Sequence, residues 1–300
     1  MKMVRRILFI LLSFVFLQDV TEAEQKVLAV QGLRIKPYEE SMRGFKSVCN
    51  VTVKEMVISE WEGLDIVKEI RKINPDMILA VGIDALSKVK GIKDVPIVYF
   101  MVPNPQSVTS EEENITGISM NISPEKQLGL LREVLPDVNR VGLLYNPAKT
   151  GYFVKKARDS SRKFGIKLIV KEVYSSREVP LLINDMKKEI DAFWMLPDTT
   201  VITPETIEFL FLFSLENKMP LIAFSDKYTE LGAVMSVGID AFDTGRQAGE
   251  MAKKILSGTD IKNLLRADAR KAVLSINLKV VKKLRININN EIINKARIIN

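Results

Sequence analysis

The sequence contains no histidine, and its only cysteine is Cys49. Without a second cysteine no disulfide can form within the chain, and without histidine the sequence excludes Cys/His zinc sites, Ser/His/Asp triads and Cys/His dyads. Cys49 lies far beyond the apolar segment at the N-terminus, which excludes a lipid-anchoring cysteine directly after a signal sequence. We therefore expect Cys49 to be a small buried hydrophobic residue.

Nucleotide-binding fingerprints are missing as well. Neither G-x-G-x-x-G nor G-x-x-x-x-G-K-[ST] occurs in the sequence. Gly245 and Gly249 fall inside a predicted helix, where they indicate close packing and not a phosphate-binding turn. With no recognisable catalytic arrangement, we predict a protein that is not an enzyme and that uses no cofactor or metal.

The sequence also lacks the run of about 20 apolar residues that a membrane-spanning helix needs. Residues 7–17 form a shorter apolar run, preceded by Lys2, Arg5 and Arg6 and followed by the triplet Thr-Glu-Ala at 21–23. This order of basic, apolar and small residues is typical of a cleavable signal peptide. We predict that residues 1–23 are removed and that the mature protein is exported to the periplasm.

Charge of one sign is not concentrated anywhere in the chain. The 300 residues include 44 basic and 37 acidic side chains, a formal net charge of +7, but the two signs are interleaved and no basic arm occurs. A solvated lysine-rich surface explains this pattern better than a nucleic-acid footprint, so we expect no nucleic-acid partner. A hydrophobic content of 47% suffices for one large or two medium-sized domains.

Apolar strands that end in turn residues alternate with amphipathic helices. Strands are predicted at residues 26–32, 51–58, 76–81 and 95–102, and helices around 38–45 and at 64–73. The fourth strand begins at a proline and is followed by Pro103, Asn104 and Pro105. Proline has no N–H for the hydrogen bonds of a sheet, so prolines at the two ends of this apolar run are compatible with an interior parallel strand.

The second half of the sequence repeats this pattern. Strands at 140–145, 191–196 and 220–224 follow those at 26–32, 76–81 and 95–102 at offsets of about 114 to 124 residues. Helices are predicted at 124–135, 150–164, 178–188 and 203–217, with Ser123-Pro124 and Thr203-Pro204 as N-cap and first-turn pairs. A strand at 232–240, a helix at 243–256, a strand at 271–278 and a final helix from Asn290 complete the pattern. The fold class is therefore α/β, with two Rossmann-like lobes, parallel sheets and a shared cleft.

Polar residues at the ends of these strands are the candidate ligand contacts. Because ligands of parallel α/β sheets bind at the carboxyl ends of the strands, the set should surround one cleft. Each aspartate could bind an ammonium group, although a single aspartate at such a place more often caps a helix or turn; for the set around one cleft we favour binding. For the neutral residues, turn chemistry and ligand contact are equally good interpretations. The candidates are Asp84, Asn104, Asn146, Asp198, Thr199, Ser225, Asp226 and Asp240. Gln31 and Ser119 have weaker claims, and Tyr99 and Trp194 fit the core better than a ligand.

Three segments resemble a known family. NITGIS at 114–119, LLREVLPDVNRVGLLYNP at 130–147 and VGIDAFDTGRQAGEMAKKILSG at 237–258 look like the ABC transporter substrate-binding proteins that include tryptophan- and tyrosine-type binding proteins of bacteria. SINLKVVKKLRI at 275–286 is similar to the family's carboxyl end.

The resemblance implies the type I periplasmic binding protein fold, with a three-crossing hinge. The N-terminal lobe would comprise residues 24–119 plus 239–262, and the C-terminal lobe residues 120–238 plus 263–300. It also implies a monomer that captures a small solute, an amino acid of aromatic type by resemblance, and delivers it to an inner-membrane ABC permease. The alternative is a ligand-sensing receptor that partners a membrane sensor.

Two departures from the family fall on the expected cleft. The third strand ends in Gly82, Ile83 and Asp84, where relatives usually carry Gly-Thr-Pro, and Asn104 stands where relatives usually carry aspartate. Ligand identity could be decided at these positions.

Overall fold

The computed structural model describes residues 25–60, 65–110 and 112–299. The predicted signal peptide lies outside the described residues, as does Leu64 at the start of the second predicted helix. In the described part of the chain, no helix is long and apolar enough to cross a membrane.

The first of two sheets is entirely parallel. Its spatial order is β11-β5-β4-β3-β1-β2, where the strands are β1 Val27–Gln31, β2 Val53–Val57, β3 Met77–Val81, β4 Ile97–Val102, β5 Ile115–Ser119 and β11 Ala267–Asp268. The central strands are buried over their whole length, because helices cover both faces of the sheet.

The second sheet repeats this arrangement and adds two strands. Its order is β13-β12-β10-β9-β8-β6-β7, where the strands are β6 Arg140–Tyr145, β7 Lys167–Glu172, β8 Ala192–Trp194, β9 Leu221–Ala223, β10 Met235–Ile239, β12 Ala272–Asn277 and β13 Arg297–Ile299. The pair of β10 and β12 is antiparallel and the other pairs are parallel. The order β5-β4-β3-β1-β2 thus corresponds to β10-β9-β8-β6-β7, which confirms the doubling predicted from the strand offsets.

The helices predicted from the sequence are present, with shifts of a few residues at their ends, and the described chain also contains three short helices that were not predicted. They are α1 Lys36–Lys46, α2 Ile66–Ile73, α3 Ile83–Val89, α4 Pro124–Val134, α5 Pro147–Lys163, α6 Val179–Met186, α7 Pro204–Asn217, α8 Asp226–Leu231, α9 Ala241–Leu256, α10 Leu278–Leu284 and α11 Asn290–Lys295. Ser123 caps α4 by accepting from Lys126 N, and Thr203 forms a capping box with Thr206 at α7.

Six of these helices and strands of the described chain were not predicted: α3, α8, α10, β7, β11 and β13. Helices α3, α8 and α10 have only seven, six and seven residues, and β11 and β13 have two and three, which is too short for a hydrophobic period to show. Strand β7 lies at the edge of its sheet and is only half-buried. Its sequence KLIVKE therefore includes two lysines, and they interrupt the apolar pattern by which the other strands were recognised.

Two glycines of α9 allow this helix to pack against α1 at very short range. A Cβ on Gly245 would lie 1.8 Å from the Ser41 carbonyl oxygen, and one on Gly249 would lie 2.8 Å from the Phe45 oxygen. The predicted packing role of these glycines is confirmed. Cys49, buried in the core beneath α1 and α9, is also a core residue as predicted.

The chain crosses between the sheets three times, after β5, between β10 and α9, and between β11 and β12. We refer to the first sheet with α1, α2, α3 and α9 as the first lobe, and to the second sheet with the other helices as the second lobe. The first lobe extends past its predicted bound at residue 262, because Ala267 and Asp268 still pair with Ile118 and Ser119 of the first sheet.

Candidate functional site

Three adjoining cavities lie between the two lobes, near the carboxyl ends of the strands. The central cavity has a volume of about 280 Å³. An α5-side cavity of about 260 Å³ shares Asn121, Ile122, Phe153 and Pro197 with it, and an α1-side cavity of about 300 Å³ shares Met120, Phe224 and Ile239. The three cavities therefore form one continuous cleft.

Aromatic side chains line the central cavity. Phe224 and Tyr228 lie one helical turn apart after β9, with ring centroids 4.9 Å apart, and Phe153 packs edge-on against Trp194 at 5.6 Å. Burial raises the pKa of Tyr228. Most of the remaining wall is aliphatic or proline, so the cavity suits an apolar or aromatic group.

Gln127 is a polar residue in this wall, and both ends of its amide are bonded. Its Nε2 donates to the Ile122 carbonyl at 2.8 Å, and its Oε1 accepts from the Trp194 indole N–H at 3.2 Å. Trp194 is itself buried in the core, as expected. The two bonds hold Gln127 in one orientation and use one of its two N–H donors and one of its two acceptor lone pairs.

Asp198 lines the central cavity, but its carboxylate is occupied by protein donors. Its Oδ2 accepts from Asn146 N at 2.8 Å and from the Thr150 hydroxyl at 2.6 Å, and its Oδ1 accepts from Thr200 N at 2.9 Å. The side chain is buried, and these contacts hold the start of α5 against the end of β8. These three hydrogen bonds fit the alternative that Asp198 caps a helix or turn. Direct contact of Asp198 with a ligand remains a prediction.

Asn146 and Thr199 support the same corner. Asn146 caps α5 by accepting from Ala148 N at 3.0 Å, and its Nδ2 donates to the Thr200 hydroxyl. Thr199 lines the central cavity, and its hydroxyl accepts from Lys149 Nζ at 2.6 Å.

Asn104 links the lobes at the mouth of the α5-side cavity. It has a left-handed backbone conformation with φ of 44°, which asparagine tolerates better than most residues. Its Nδ2 donates to the main-chain carbonyl of Lys149, in the first turn of α5. Lys149, Lys156 and Arg266 make this cavity basic.

Ser225, Asp226 and Asp240 lie together in the α1-side cavity. Asp226 forms an ion pair with Arg297 at 2.6 Å, and Asp240 caps α9 by accepting from Asp243 N at 2.9 Å. Partial burial favours the neutral form of Asp240, but bonds from Lys271 and from two main-chain N–H groups outweigh it and lower its pKa.

Asp84 lies at the start of α3 and, like Asn146, lines none of these three cavities. It lies beside Gly32 and near Tyr38, whose pKa is raised by burial and by the Asp84 charge. A Cβ on Gly82, where φ is 89°, would lie 2.1 Å from the Tyr38 hydroxyl, so glycine is required there.

Gln31 is the last residue of β1, and the oxygen of its side-chain amide has no hydrogen-bond partner among the described residues. The side chain is only 4% exposed. A buried acceptor without a partner is destabilising and is uncommon in native proteins, and such groups occur at functional sites. Gln31 therefore has a stronger claim than the sequence indicated.

Strand β4 distorts where it reaches the cleft. Its register with β5 shifts between Tyr99 and Val102, and Met101 has a φ of 56°. The bulge brings Met101 to the wall of the α1-side cavity, and nothing in the residue pattern indicated it. Tyr99 is buried as expected, but it also lines the α5-side cavity, and burial raises its pKa to about 12.

Sequence reasoning missed much of the cleft wall: Glu40, Gln127, Lys149, Phe153, Phe224, Tyr228, Arg266 and Arg297. The spacing of Phe224 and Tyr228 directly after a strand was a usable signal. Arg297 had none, because a three-residue strand brings it to the cleft. Among the described residues, no cluster of three or more potential metal ligands occurs.

Comparison with known proteins identifies the family of this chain. The model of the ABC transporter substrate binding protein family matches residues 42–299. A tyrosine-binding protein of Clostridioides difficile (strain R20291) is 26% identical over 195 residues, which are 62% of this chain and 56% of that protein. The chain thus spans little more than half the length of this curated relative.

Solved structures share the fold. The ligand-free, open structure of a substrate binding protein with adhesive properties from Clostridium difficile has a TM-score of 0.75 at 22% identity, covering 92% of this chain and 99% of that chain. The ABC domain in complex with L-Trp from Streptococcus pneumonia has a TM-score of 0.68 at 20% identity, covering 92% of this chain and all of that one. At these identities the match establishes the fold, which is of the predicted type I periplasmic binding class.

Proposed function

The chain belongs to the ABC transporter substrate-binding protein family, and we propose that it captures an amino acid in its inter-lobe cleft and delivers it to a membrane permease. The observation that carries this proposal is the central cavity. It combines an aromatic and aliphatic wall with polar groups on both flanks, as the binding of an amino acid with an apolar or aromatic side chain requires. The relatives named for tyrosine and L-Trp support the same ligand class.

The side chain of the ligand would occupy the central cavity against Phe224, Tyr228 and Phe153. The volume of about 280 Å³ leaves space for an indole or phenol ring. The candidate contacts Asn104, Asp198, Thr199, Ser225, Asp226 and Asp240 surround the cleft or its flanks, whereas Asp84, Asn146 and Gln31 would act from neighbouring strand ends. Each of these roles is part of the proposal.

Transport would depend on lobe closure around the ligand. Because the three cavities are lined by both lobes, a bound ligand contacts both and favours the closed arrangement through its differential affinity. The closed protein would dock on the permease as a monomer, outside the cytoplasm and without catalysing a reaction.

A thermal-shift screen of the twenty amino acids, followed by calorimetry, tests this function. A ligand at about 100 times its Kd should stabilise the protein by about 2.7 kcal/mol. Replacing Phe224 by Ala should weaken binding, whereas replacing Leu212, an exposed residue of α7 outside the three cavities, should not.

Small-angle scattering tests closure, and the radius of gyration should fall when the ligand binds. A ligand that stabilises the protein without compaction would contradict the closure step. Binding to no amino acid would contradict the ligand class. Co-purification with a membrane sensor and not with a permease would favour the receptor alternative.

A further inference from the structure

The α1-side cavity contains an ion pair that folding stability does not explain. Asp226 Oδ2 accepts from Arg297 Nη1 at 2.6 Å, while Oδ1 accepts from Lys227 N at 3.0 Å. The Arg297 and Asp226 side chains are 59% and 41% exposed, and exposed pairs of this kind contribute little to stability.

The position of Arg297 depends on the last strand of the protein. Strand β13 pairs with β12, and Arg297 lies opposite Ser275, which also lines the cavity. Within the described residues, Nη1 is the guanidinium atom with a hydrogen-bond acceptor, so Nε and Nη2 remain available. A guanidinium group with two free donors is well suited to bind a carboxylate in a bidentate manner.

The cavity continues into the aromatic part of the cleft. Met120, Phe224 and Ile239 belong to the walls of both the α1-side and the central cavity. A molecule whose side chain fills the central cavity can therefore extend its polar end towards Asp226 and Arg297. An α-amino acid carries one negative and one positive group on the same carbon, and the ion pair offers one partner for each.

Two further carboxylates line this cavity: Asp240, which pairs with Lys271, and Glu40, which comes from the other lobe. Glu40 of α1 lines the same cavity and forms no ion pair among the described residues. It belongs to the first lobe, whereas Asp226 and Arg297 belong to the second. An ammonium group between Glu40 and Asp226 would hold the two lobes together.

We propose that Arg297 binds the α-carboxylate of the ligand and that Asp226, joined by Glu40 from the first lobe, binds its α-ammonium group. This inference rests on the proposed function, since it assigns the head-group contacts of that ligand. It makes the carboxyl-terminal strand part of the binding site. It also explains why an exposed ion pair lies in the cleft wall.

Calorimetry with matched ligand pairs tests the assignment. L-tyrosine, L-tryptophan and L-leucine are each compared with the amine that lacks the carboxylate: tyramine, tryptamine and isoamylamine. R297Q should weaken binding of the amino acid by about 10- to 100-fold and change binding of the amine by less than about threefold. R297K, which keeps the charge but not the fork of donors, should restore part of the affinity.

The mirror experiment uses D226N. It should weaken binding of the amino acid but spare the acid that lacks the amine, for which 3-(4-hydroxyphenyl)propionate and indole-3-propionate serve as probes. R71Q is the matched control, because Arg71 forms a similar surface pair with Asp94 in the first lobe, at 3.2 Å and outside the three cavities. It should leave all affinities unchanged.

The outcomes separate this inference from the proposed function. Unchanged amino-acid affinity in R297Q, or an equal loss for amino acid and amine, would refute the head-group site while the proposed function stands. If an amine binds too weakly to measure, the affinities of R297Q and R71Q for the amino acid are compared instead. Equal affinities of the two variants would refute the head-group site. A wild-type protein that binds no amino acid would refute both.

Discussion

The side-chain amide of Asn104 donates a hydrogen bond to the main-chain carbonyl of Lys149, across the mouth of the cleft. Asn104 follows β4 of the first lobe, and Lys149 lies in the first turn of α5 in the second lobe. This bond joins the lobes away from the three chain crossings, so it stabilises the arrangement in which they are close together.

Replacing Asn104 by Ala should shift the free protein towards more open arrangements. Loss of the bond costs about 0.5 to 1.5 kcal/mol, so the apparent ligand affinity should fall by about 2- to 12-fold. N104D should act in the same direction, since a carboxylate has no proton to donate to the carbonyl. Scattering of the free protein and calorimetry measure the two effects.

N217A is the matched control for Asn104. The Asn217 amide donates to the Phe213 carbonyl within α7, at 2.9 Å and inside one lobe. It should leave the radius of gyration and the affinity unchanged. If N104A and N217A have the same radius of gyration and the same ligand affinity, the bond between Asn104 and Lys149 does not shift the equilibrium between open and closed lobes.

Asp198→Ala should destabilise the second lobe. The substitution leaves three donors without their acceptor, namely Asn146 N, the Thr150 hydroxyl and Thr200 N. The free energy of unfolding, measured by urea denaturation, should fall by about 2 to 4 kcal/mol. D137A, at an exposed position, should change it by less than about 0.5 kcal/mol, and a similarly small loss in D198A would contradict the capping role.

Gln31→Leu and Gln127→Leu should have opposite effects on stability. Leucine at 31 removes a buried acceptor that has no partner among the described residues and should raise the free energy of unfolding by about 1 kcal/mol. Leucine at 127 leaves the Ile122 carbonyl and the Trp194 indole N–H unpaired and should lower it by about 1 to 3 kcal/mol. A loss of stability in Q31L would mean that the Gln31 amide is satisfied in solution.

Gly245→Ala should disrupt the packing of α9 on α1. The added methyl group would meet the Ser41 carbonyl oxygen at 1.8 Å, so the helices must separate, at a cost of about 1 to 3 kcal/mol or more. G91A is the control, because nothing lies within 4 Å of a Cβ at that turn position. Denaturation of both variants should show a loss only in G245A.

Asp191 should contribute to the acid sensitivity of the protein. Burial opposes its ionisation, but the Arg140 guanidinium and the N–H groups of Arg140 and Asn139 outweigh burial and lower its pKa below the ordinary value of 3.8. Between the lowered pKa of the folded state and the ordinary value of the unfolded state, the unfolded chain therefore binds more protons than the folded chain. The contribution is complete above the ordinary value and is lost as pH falls through the lowered one.

Unfolding curves from pH 6 to pH 3 measure this contribution. The D191N variant should lose less stability than the wild type over that range, because it has no carboxylate to protonate. Parallel losses in the two proteins would show that Asp191 has the same pKa in the folded and unfolded states.

Local patterns predicted the order of most strands and helices, since alternation, caps and breakers act over a few residues. The Ser123-Pro124 and Thr203-Pro204 pairs are examples, because each cap needs only its own first turn. Strands β11 and β13 were missed, since their pairing depends on a neighbouring strand and not on their own pattern. Strand β11 is an example, because its pairing with β5 extends the first lobe beyond residue 262. The three-residue strands β8 and β9 were predicted because each lies in a longer apolar run.

The sequence by itself determined the α/β class, the doubled strand order, the burial of Cys49 and the absence of Cys/His chemistry, because these follow from composition and local periodicity. Only the tertiary structure decided which polar side chains form hydrogen bonds or ion pairs with other residues of the protein. Asp198 and Asp240 looked alike as aspartates at strand ends, yet one accepts three internal bonds and the other pairs with Lys271. Such differences depend on partners tens of residues away, which are brought within hydrogen-bonding distance only when the two sheets have formed.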